Sequence, residues 1–514
     1  MKLKYIFFIS AGIALGSSCK KGILDLYPEG SITSGNYFKS TAEFQMAVTG
    51  AYVPLRNIAD IAFYMDEMRA DNTHYDYNSK DRGGAGYEQL ADFTDNQSNG
   101  VTGTRYNAAY SGIHRCNTIL DRLETISFTM ADGDRNQITG EAKALRAHYY
   151  FDLVRHFGKV PMPLHELLSP DPKLVFLPRT SVDSLYQQII ADFTDALALL
   201  PNPKVPESGK MNKGSVSAEL GLVYMTLQQW DKAVPLLQSV TTMGYDLVGN
   251  YRDIFDPLKK SNKEAIFEVQ YKSGVDGQQS LIPYRFLPVS DSTKAMLDIE
   301  YNNINGGWNT PTADLLRQYE ADDKRLNASV GYIEGYVGAN GIFKTEKIVT
   351  EDVRTYVPPA TKSARIFAKK YYFYPYKIPA YNTDQNWPLF RLGGVLLLLA
   401  EALNENNQSA DALTPLNKVR FRAGLDDISN TNKDQLREII AREQRLELAF
   451  ENYRWLDLVR TGKAATVMTA HGLEMKSLYG YLAADAYTVT PKKYIYPIPF
   501  REMQLNPTWI QNDY

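Results

Sequence analysis

Two aromatic-rich stretches hold the residues best suited to binding chemistry. Met65–Tyr106 is rich in Asp, Asn, Gly and Tyr and contains Asn72, Tyr75, Tyr77, Arg82, Tyr87 and Asn96. Amides and a guanidinium bond hydroxyls, and tyrosine rings cover the CH face of a sugar. The second stretch, Tyr271–Trp387, contains Trp308 within NNINGGWNTPTADLL. Gly306 and Gly307 free the backbone before the indole, and Pro311 precedes a helical pattern. Trp308 is therefore expected on a loop at a helix entrance. Each of these residue types also serves as plain packing or plain surface, so the set is a candidate ligand site and not a demonstrated one.

The chain offers no competing catalytic constellation. Its six histidines show neither HExxH nor a Cys/His metal spacing, and there is no phosphate loop and no GxSxG elbow. Asp132-Gly-Asp134-Arg-Asn136 opens like an EF-hand loop. Gln137 then stands where the turn glycine belongs and Lys143 where the bidentate Glu belongs, so the segment reads as a helix entry. No metal, cofactor or catalytic residue is expected. A net charge of −3 gives no reason to expect nucleic acid.

The elements that must position the candidate site are helical. Gly221, Tyr224, Ala233, Leu237 and Val240 fall at the offsets of a tetratricopeptide helix pair, and Ala400, Leu403, Ala412, Leu416 and Val419 do so again. The small residues let two helices approach closely. Further amphipathic helices are expected at Ala42–Leu55, Asn107–Leu123, Glu141–Phe157, Val182–Leu200 and Gln435–Arg460. Proline clusters at 161–172 and 201–206 separate three of them. The expected class is mostly α, with about four helix pairs and loop-rich insertions near 65–106 and 271–387. Ala265–Val269 has a strand-like alternation. Cys116, in IHRCNTILDRL, is expected to be a buried thiol.

Two blocks remain. In EQRLELAFENYRWLDLVR, Glu443, Glu447 and Glu451 recur every fourth residue, beside a stripe of Leu446, Phe450 and Tyr453. The plain reading is a salt-bridged helix at the edge of a core. At the N-terminus two lysines precede the short apolar run Tyr5–Leu15 and the small residues Gly16, Ser17 and Ser18, and then Cys19. This is a signal segment ending at 18, with Cys19 placed for lipidation.

The charged block resembles the ERxxELxxExxRxxDLxR signature of SusD/RagB-like proteins, the surface nutrient-binding lipoproteins of Bacteroidota. KKGILDLYPEG after Cys19 is similar to that family's opening. RAHYYFDLVRHFGKVPM, LPRTSVDSLYQQIIADF and YPIPFREMQLNPTWIQNDY resemble its later blocks, in order, so the resemblance spans 19–514. One departure stands out: Gly394 occupies a position the family usually fills with an acid, which implies a local structural change without loss of function.

The resemblance implies a non-enzymatic lipoprotein anchored to the outer membrane and facing the exterior. It would capture an oligosaccharide and pass it to a SusC-like TonB-dependent transporter. It also implies that the insertions gather on one face of the helical scaffold, with Trp308 among their ligand contacts. A RagB-like peptide binder is the alternative within the family. A secreted glycoside hydrolase and a helical scaffold for a protein ligand are the alternatives outside it.

Overall fold

The protein, seen in a computed structural model, is described over residues 37–77, 84–169, 171–297, 306–339, 341–373 and 382–514. Cys19, the signal segment and Arg82 lie outside them. Eight helices form four antiparallel pairs: α1 (Thr41–Asp66) with α2 (Gly100–Glu124), α3 (Asp132–Phe157) with α4 (Val182–Leu199), α5 (Lys213–Thr226) with α6 (Trp230–Val240), and α7 (Leu392–Glu405) with α8 (Ser409–Ala423). Successive pairs touch through α2 and α3, α4 and α5, and α6 and α7, which gives the expected helical array.

Local chemistry sets the helix ends. Ser40 and Glu43 form a capping box at α1, Asn212 and Ser215 another at α5, and Asn99 and Ser181 cap α2 and α4. Pair geometry follows from the small residues. A Cβ at Gly221 would lie 2.8 Å from the Leu237 side chain, and Ala233 is fully buried. Ala233→Leu is therefore expected to destabilise by about 1–3 kcal/mol through overpacking, read as a lower thermal midpoint. An unchanged midpoint would show that the repeat register is misplaced.

Three boundaries differ from the sequence expectation. Helix α1 extends to Asp66, and α2 begins at Gly100, so the first insertion shrinks to the segment between them and contains a short helix, Ala85–Asp92. Helix α3 starts at Asp132, so the EF-hand-like residues form its first turn. The expected single helix Gln435–Arg460 is broken into α9 (Lys433–Glu447) and α10 (Arg454–Arg460). Phe450 and Asn452 between them have positive φ, 68° and 69°. Glu451, within this turn, is buried alongside Glu443 and Glu447.

The second insertion carries most of the β-structure. Strands β4 (Val330–Val337), β5 (Phe343–Val349) and β6 (Ser363–Ala368) form an antiparallel sheet in the order β5-β4-β6. The alternation at Ala265–Val269 is β2, paired antiparallel with β7 (Trp387–Arg391), which leads straight into α7. A two-residue ladder joins β1 (Thr73–His74) to β3 (Thr310–Pro311), tying the two insertions together.

The charged block is not a surface feature. Glu264, Asp323, Glu443, Glu447 and Glu451 are buried with Arg325, Lys370, Arg391, Arg420 and Arg422. Arg391 reaches Glu264 Oε1 at 2.9 Å and both Glu451 oxygens at 2.7 and 2.8 Å, and also pairs with Glu447. Arg422 and Arg325 hold Glu447 from two further sides. A Cβ at Gly393 would lie 2.7 Å from both Arg391 and Glu447, so the network leaves room only for glycine there. At Gly394 a Cβ would instead meet Leu448 at 3.2 Å. That position faces an apolar side chain. Cys116 is a buried free thiol, and no helix among the described residues is long and apolar enough to cross a membrane.

Candidate functional site

The site begins with two arginines of the charged block. Arg454 binds Asp71 through Nε and Nη2 at 2.8 and 3.0 Å. Arg445 donates to Asn72 Oδ1 at 2.8 Å and to Asp314 at 2.8 Å, and pairs with Asp71 at 3.0 Å. Burial pushes the Asp71 carboxyl up, but Arg454 and Arg445 outweigh it and hold the group well below the usual carboxylate range. Thr312 donates to Asp71 O through its hydroxyl and to Asn72 O through its N–H. The C-terminal block thus fixes the start of β1 and the end of β3, the ladder from which the aromatic residues project.

Beyond that ladder the rings gather. Tyr77 lies flat on Tyr481, with centroids 4.0 Å and planes 8° apart. His74 stacks on Tyr479 at 4.8 Å and 16°. His74 Nε2 is 2.8 Å from the Tyr481 hydroxyl, and Nδ1 is 3.1 Å from that of Tyr487. Burial, with His471 adding to it, pushes the His74 imidazole down to about 3, so at neutral pH it is an uncharged bridge between hydroxyls. Tyr87 stacks on Tyr64 at 4.1 Å and 11°, and Trp308 sets an edge against each of them, at 5.3 and 5.5 Å. Tyr75 joins Trp308 to Tyr481 at 6.2 and 6.0 Å.

Two glycines let the Trp308 loop close on this group. Gly307 has φ +78°, and a Cβ there would lie 2.7 Å from that of Asp76. A Cβ at Gly84 would lie 2.6 Å from the indole. Burial pushes the Asp76 carboxyl up to about 6 against the pull of Arg365. The backbone N–H of Asp76 donates to Gly307 O at 2.7 Å.

The expected residues separate into two sets. Tyr75, Tyr77, Tyr87 and Trp308 come together. Tyr77 is exposed at 39%, whereas Tyr75 is buried with its hydroxyl on Asp92 at 2.7 Å. Trp308 is half-buried and wedged, not a free loop tip as expected. Asn72 is buried in the Glu67–Arg445 network. Asn96 is exposed and accepts from Ser98 N in the turn before α2. Arg82 lies outside the described residues.

His74, Tyr64, Tyr479 and Tyr481 were missed. The signal for two of them was legible in SLYGYLAADAY, a tyrosine-rich loop after the helix Ala464–Leu478, but it lies far in sequence from either insertion. Tyr77 is the exposed ring of the group, and Tyr87, Trp308, Tyr479 and Tyr481 are half-buried. The depressions of 260, 410, 510 and 640 Å³ elsewhere on the molecule include none of Tyr75, Tyr77, Tyr87, Trp308, Tyr479 or Tyr481. Among the described residues no three His, Cys, Asp or Glu side chains gather as metal ligands.

Comparisons with known proteins agree with this architecture. Residues 263–514 match the model of the SusD family, and residues 32–225 match a family described as starch-binding and associating with the outer membrane. A SusD-like protein of Formosa agariphila is 28% identical over all of this chain and 98% of its own length. A solved laminarin-binding SusD-like protein superposes with a TM-score of 0.72 at 26% identity, over 92% of this chain and 99% of its own. Surface glycan-binding protein A of Bacteroides thetaiotaomicron, solved with laminarihexaose, has a TM-score of 0.72 at 22% identity, over 92% and 99%. Four helix pairs, their connecting insertions and two matching family models covering most of the sequence have one reading: the chain belongs to the SusD family.

Proposed function

We infer that this protein is a surface glycan-binding lipoprotein that captures a neutral oligosaccharide and delivers it to a SusC-like TonB-dependent transporter in the outer membrane. The observation that carries the reading is the stack of exposed Tyr77 on half-buried Tyr481, with Trp308 near by, beside the two-strand ladder. Flat rings suit pyranose CH faces. The open surface favours modest affinity, because a wet groove returns little net energy per hydrogen bond. The relatives that bind laminarin and laminarihexaose support a β-glucan as the first ligand to try. The reading includes no turnover.

The test is calorimetry of the purified protein with laminarihexaose and a panel of neutral, acidic and amino oligosaccharides, alongside a reducing-end assay. Binding of a neutral member without release of shorter sugars is expected. Steady release of shorter sugars would assign a glycoside hydrolase instead, and binding confined to a peptide panel would assign the RagB-like function.

The anchor is tested separately. Cys19→Ala is expected to move the protein out of the outer-membrane fraction, because lipid chains at that sulfur are the proposed hold on the bilayer. Normal fractionation of the variant, with lipid still attached, would refute the anchor. Co-purification of a TonB-dependent transporter with the wild-type protein tests the delivery step.

A further inference from the structure

The glycan reading leaves unused the C-terminal block YPIPFREMQLNPTWIQNDY. The structure folds part of it against α2 to make a groove of 640 Å³. Tyr106 and Tyr110, one turn apart on α2, form one wall, and Trp509 lies across from them. Pro161, Met162, Pro163 and Leu164 form the floor with Ile113. Leu167 and Val175, which line the groove, are 46% and 41% exposed, and their chain neighbour Leu168 is 75% exposed. Exposed aliphatic clusters of this kind mark contact with protein more than with sugar, whose hydroxyls gain nothing from them.

Glu502 and Asn506 bring acceptors to a groove that Asn107, His114, Asn117, His165 and Glu166 also line. Glu502, on the short helix Phe500–Leu505, is half-buried with no ion pair among the described residues, and burial raises its carboxyl above the ordinary range. Arg501 beside it is exposed. Asn506 is 7% exposed; its amide nitrogen donates to Glu502 O at 3.2 Å, and its Oδ1 has no partner. The nearby arginine, Arg179, is turned to Lys159 O, Ile510 O and Asn512. The tyrosine and indole donors are also engaged, Tyr110 on Pro161 O at 2.7 Å and Trp509 on Leu177 O at 3.2 Å. The half-buried Glu502 carboxylate, without an ion pair among the described residues, is the group here that suits a charged donor.

We propose that this groove is a docking site for an extended segment of a partner protein that sets a lysine or arginine among apolar side chains. The apolar residues lie between Tyr106, Tyr110, Trp509 and Leu164. The cation reaches the half-buried Glu502 carboxylate. Aromatic-lined grooves take extended segments in this way because such segments present side chains without first breaking their own backbone bonds. The groove shares no residue with the aromatic platform, so this docking is separate from glycan capture.

The experiment uses the full chain in mild detergent, with acetylated and amidated octapeptides of leucine, proline and lysine, and matched peptides in which glutamine or glutamate replaces lysine. Calorimetry and tryptophan fluorescence read the binding. The lysine peptide is expected to bind with a dissociation constant below about 1 mM, and the glutamate peptide not to bind. Glu502→Gln should weaken the lysine peptide about tenfold and leave the glutamine peptide unchanged. Leu167→Asp should abolish both, with an unchanged thermal midpoint and unchanged binding of any glycan.

Equal binding of the lysine and glutamate peptides, or no binding of the lysine peptide, would overturn the proposal. So would displacement of the peptide by the captured glycan, which would make the groove part of the sugar site. Concentration-dependent dimerisation that Leu167→Asp removes would assign the groove to a second copy and also overturn it.

Discussion

Glu447→Ala is expected to cost about 3–5 kcal/mol of stability, a large part of what a natural fold has. The carboxylate is fully buried between Arg391, Arg422 and Arg325. Deleting it leaves one positive charge uncompensated in a buried cluster whose arginines keep only Glu264, Glu451, Asp323 and Glu443, and that excess charge, more than the lost bonds, dominates the cost. Arg391→Ala should be comparable, since it removes the cation shared by Glu264, Glu447 and Glu451 and leaves one buried negative charge uncompensated. Urea midpoints of the purified variants measure this; an unmoved midpoint for Glu447→Ala would mean that the network carries no net weight.

The same site sets the acid response. Burial pushes the Glu447 carboxyl up, but Arg422, Arg391 and Arg325 overcome it and hold the group far below its ordinary value of 4.5. A depressed carboxyl contributes stability that is complete above the unfolded value and is lost as pH falls toward the folded one. The protein should therefore lose stability steadily below about pH 4.5, and Glu447→Gln should flatten that slope while lowering stability at neutral pH.

The helical scaffold was legible because its signals are local. Gly221 and Ala233 report a close helix contact by their size, and Ser40 with Glu43 or Asn212 with Ser215 report helix starts by their spacing. The charged block was legible as a pattern but not as a place. A four-residue repeat of glutamates fits an exposed helix as well as a buried cluster. What decides between them is the arrival of Arg325, Lys370, Arg391 and Arg422 from distant segments, and the positive φ of Phe450 and Asn452 that breaks the helix. No local rule supplies either.

The site was half legible for the same reason. Tyr75, Tyr77, Tyr87 and Trp308 stand in stretches whose composition marks them as unusual, and the β1–β3 ladder joins those stretches. Tyr479 and Tyr481 come from a loop more than a hundred residues further on, and only the fold brings them to Tyr77. Asn72 illustrates the opposite error. Its amide type suits a sugar, but Arg445 and Glu67 reach it first, so it braces the ladder.

Truncating the ring stack should remove most of the glycan affinity. Tyr481→Ala takes away the ring on which Tyr77 lies and the hydroxyl that His74 holds. Both the surface and its preorganisation are lost, and an aromatic anchor of this kind is typically worth about 2 kcal/mol or more, roughly a thirtyfold loss. Tyr77→Ala should match it, because Tyr77 is the more exposed member of the pair and has little part in the core.

Trp308→Ala should also weaken binding, but with a structural cost that the two tyrosine variants lack. The indole is wedged between Gly84, Tyr64 and Tyr87, and removing it opens a gap. Trp308→Phe keeps an apolar ring in that gap and narrows the stacking face, so it should recover stability before it recovers affinity. Calorimetry with the neutral oligosaccharide that the wild-type protein binds, paired with thermal midpoints, separates the two effects. Wild-type affinity in both Tyr77→Ala and Tyr481→Ala would place glycan capture away from these rings. Equal losses of affinity and stability in all three variants would make the rings scaffold and not contact.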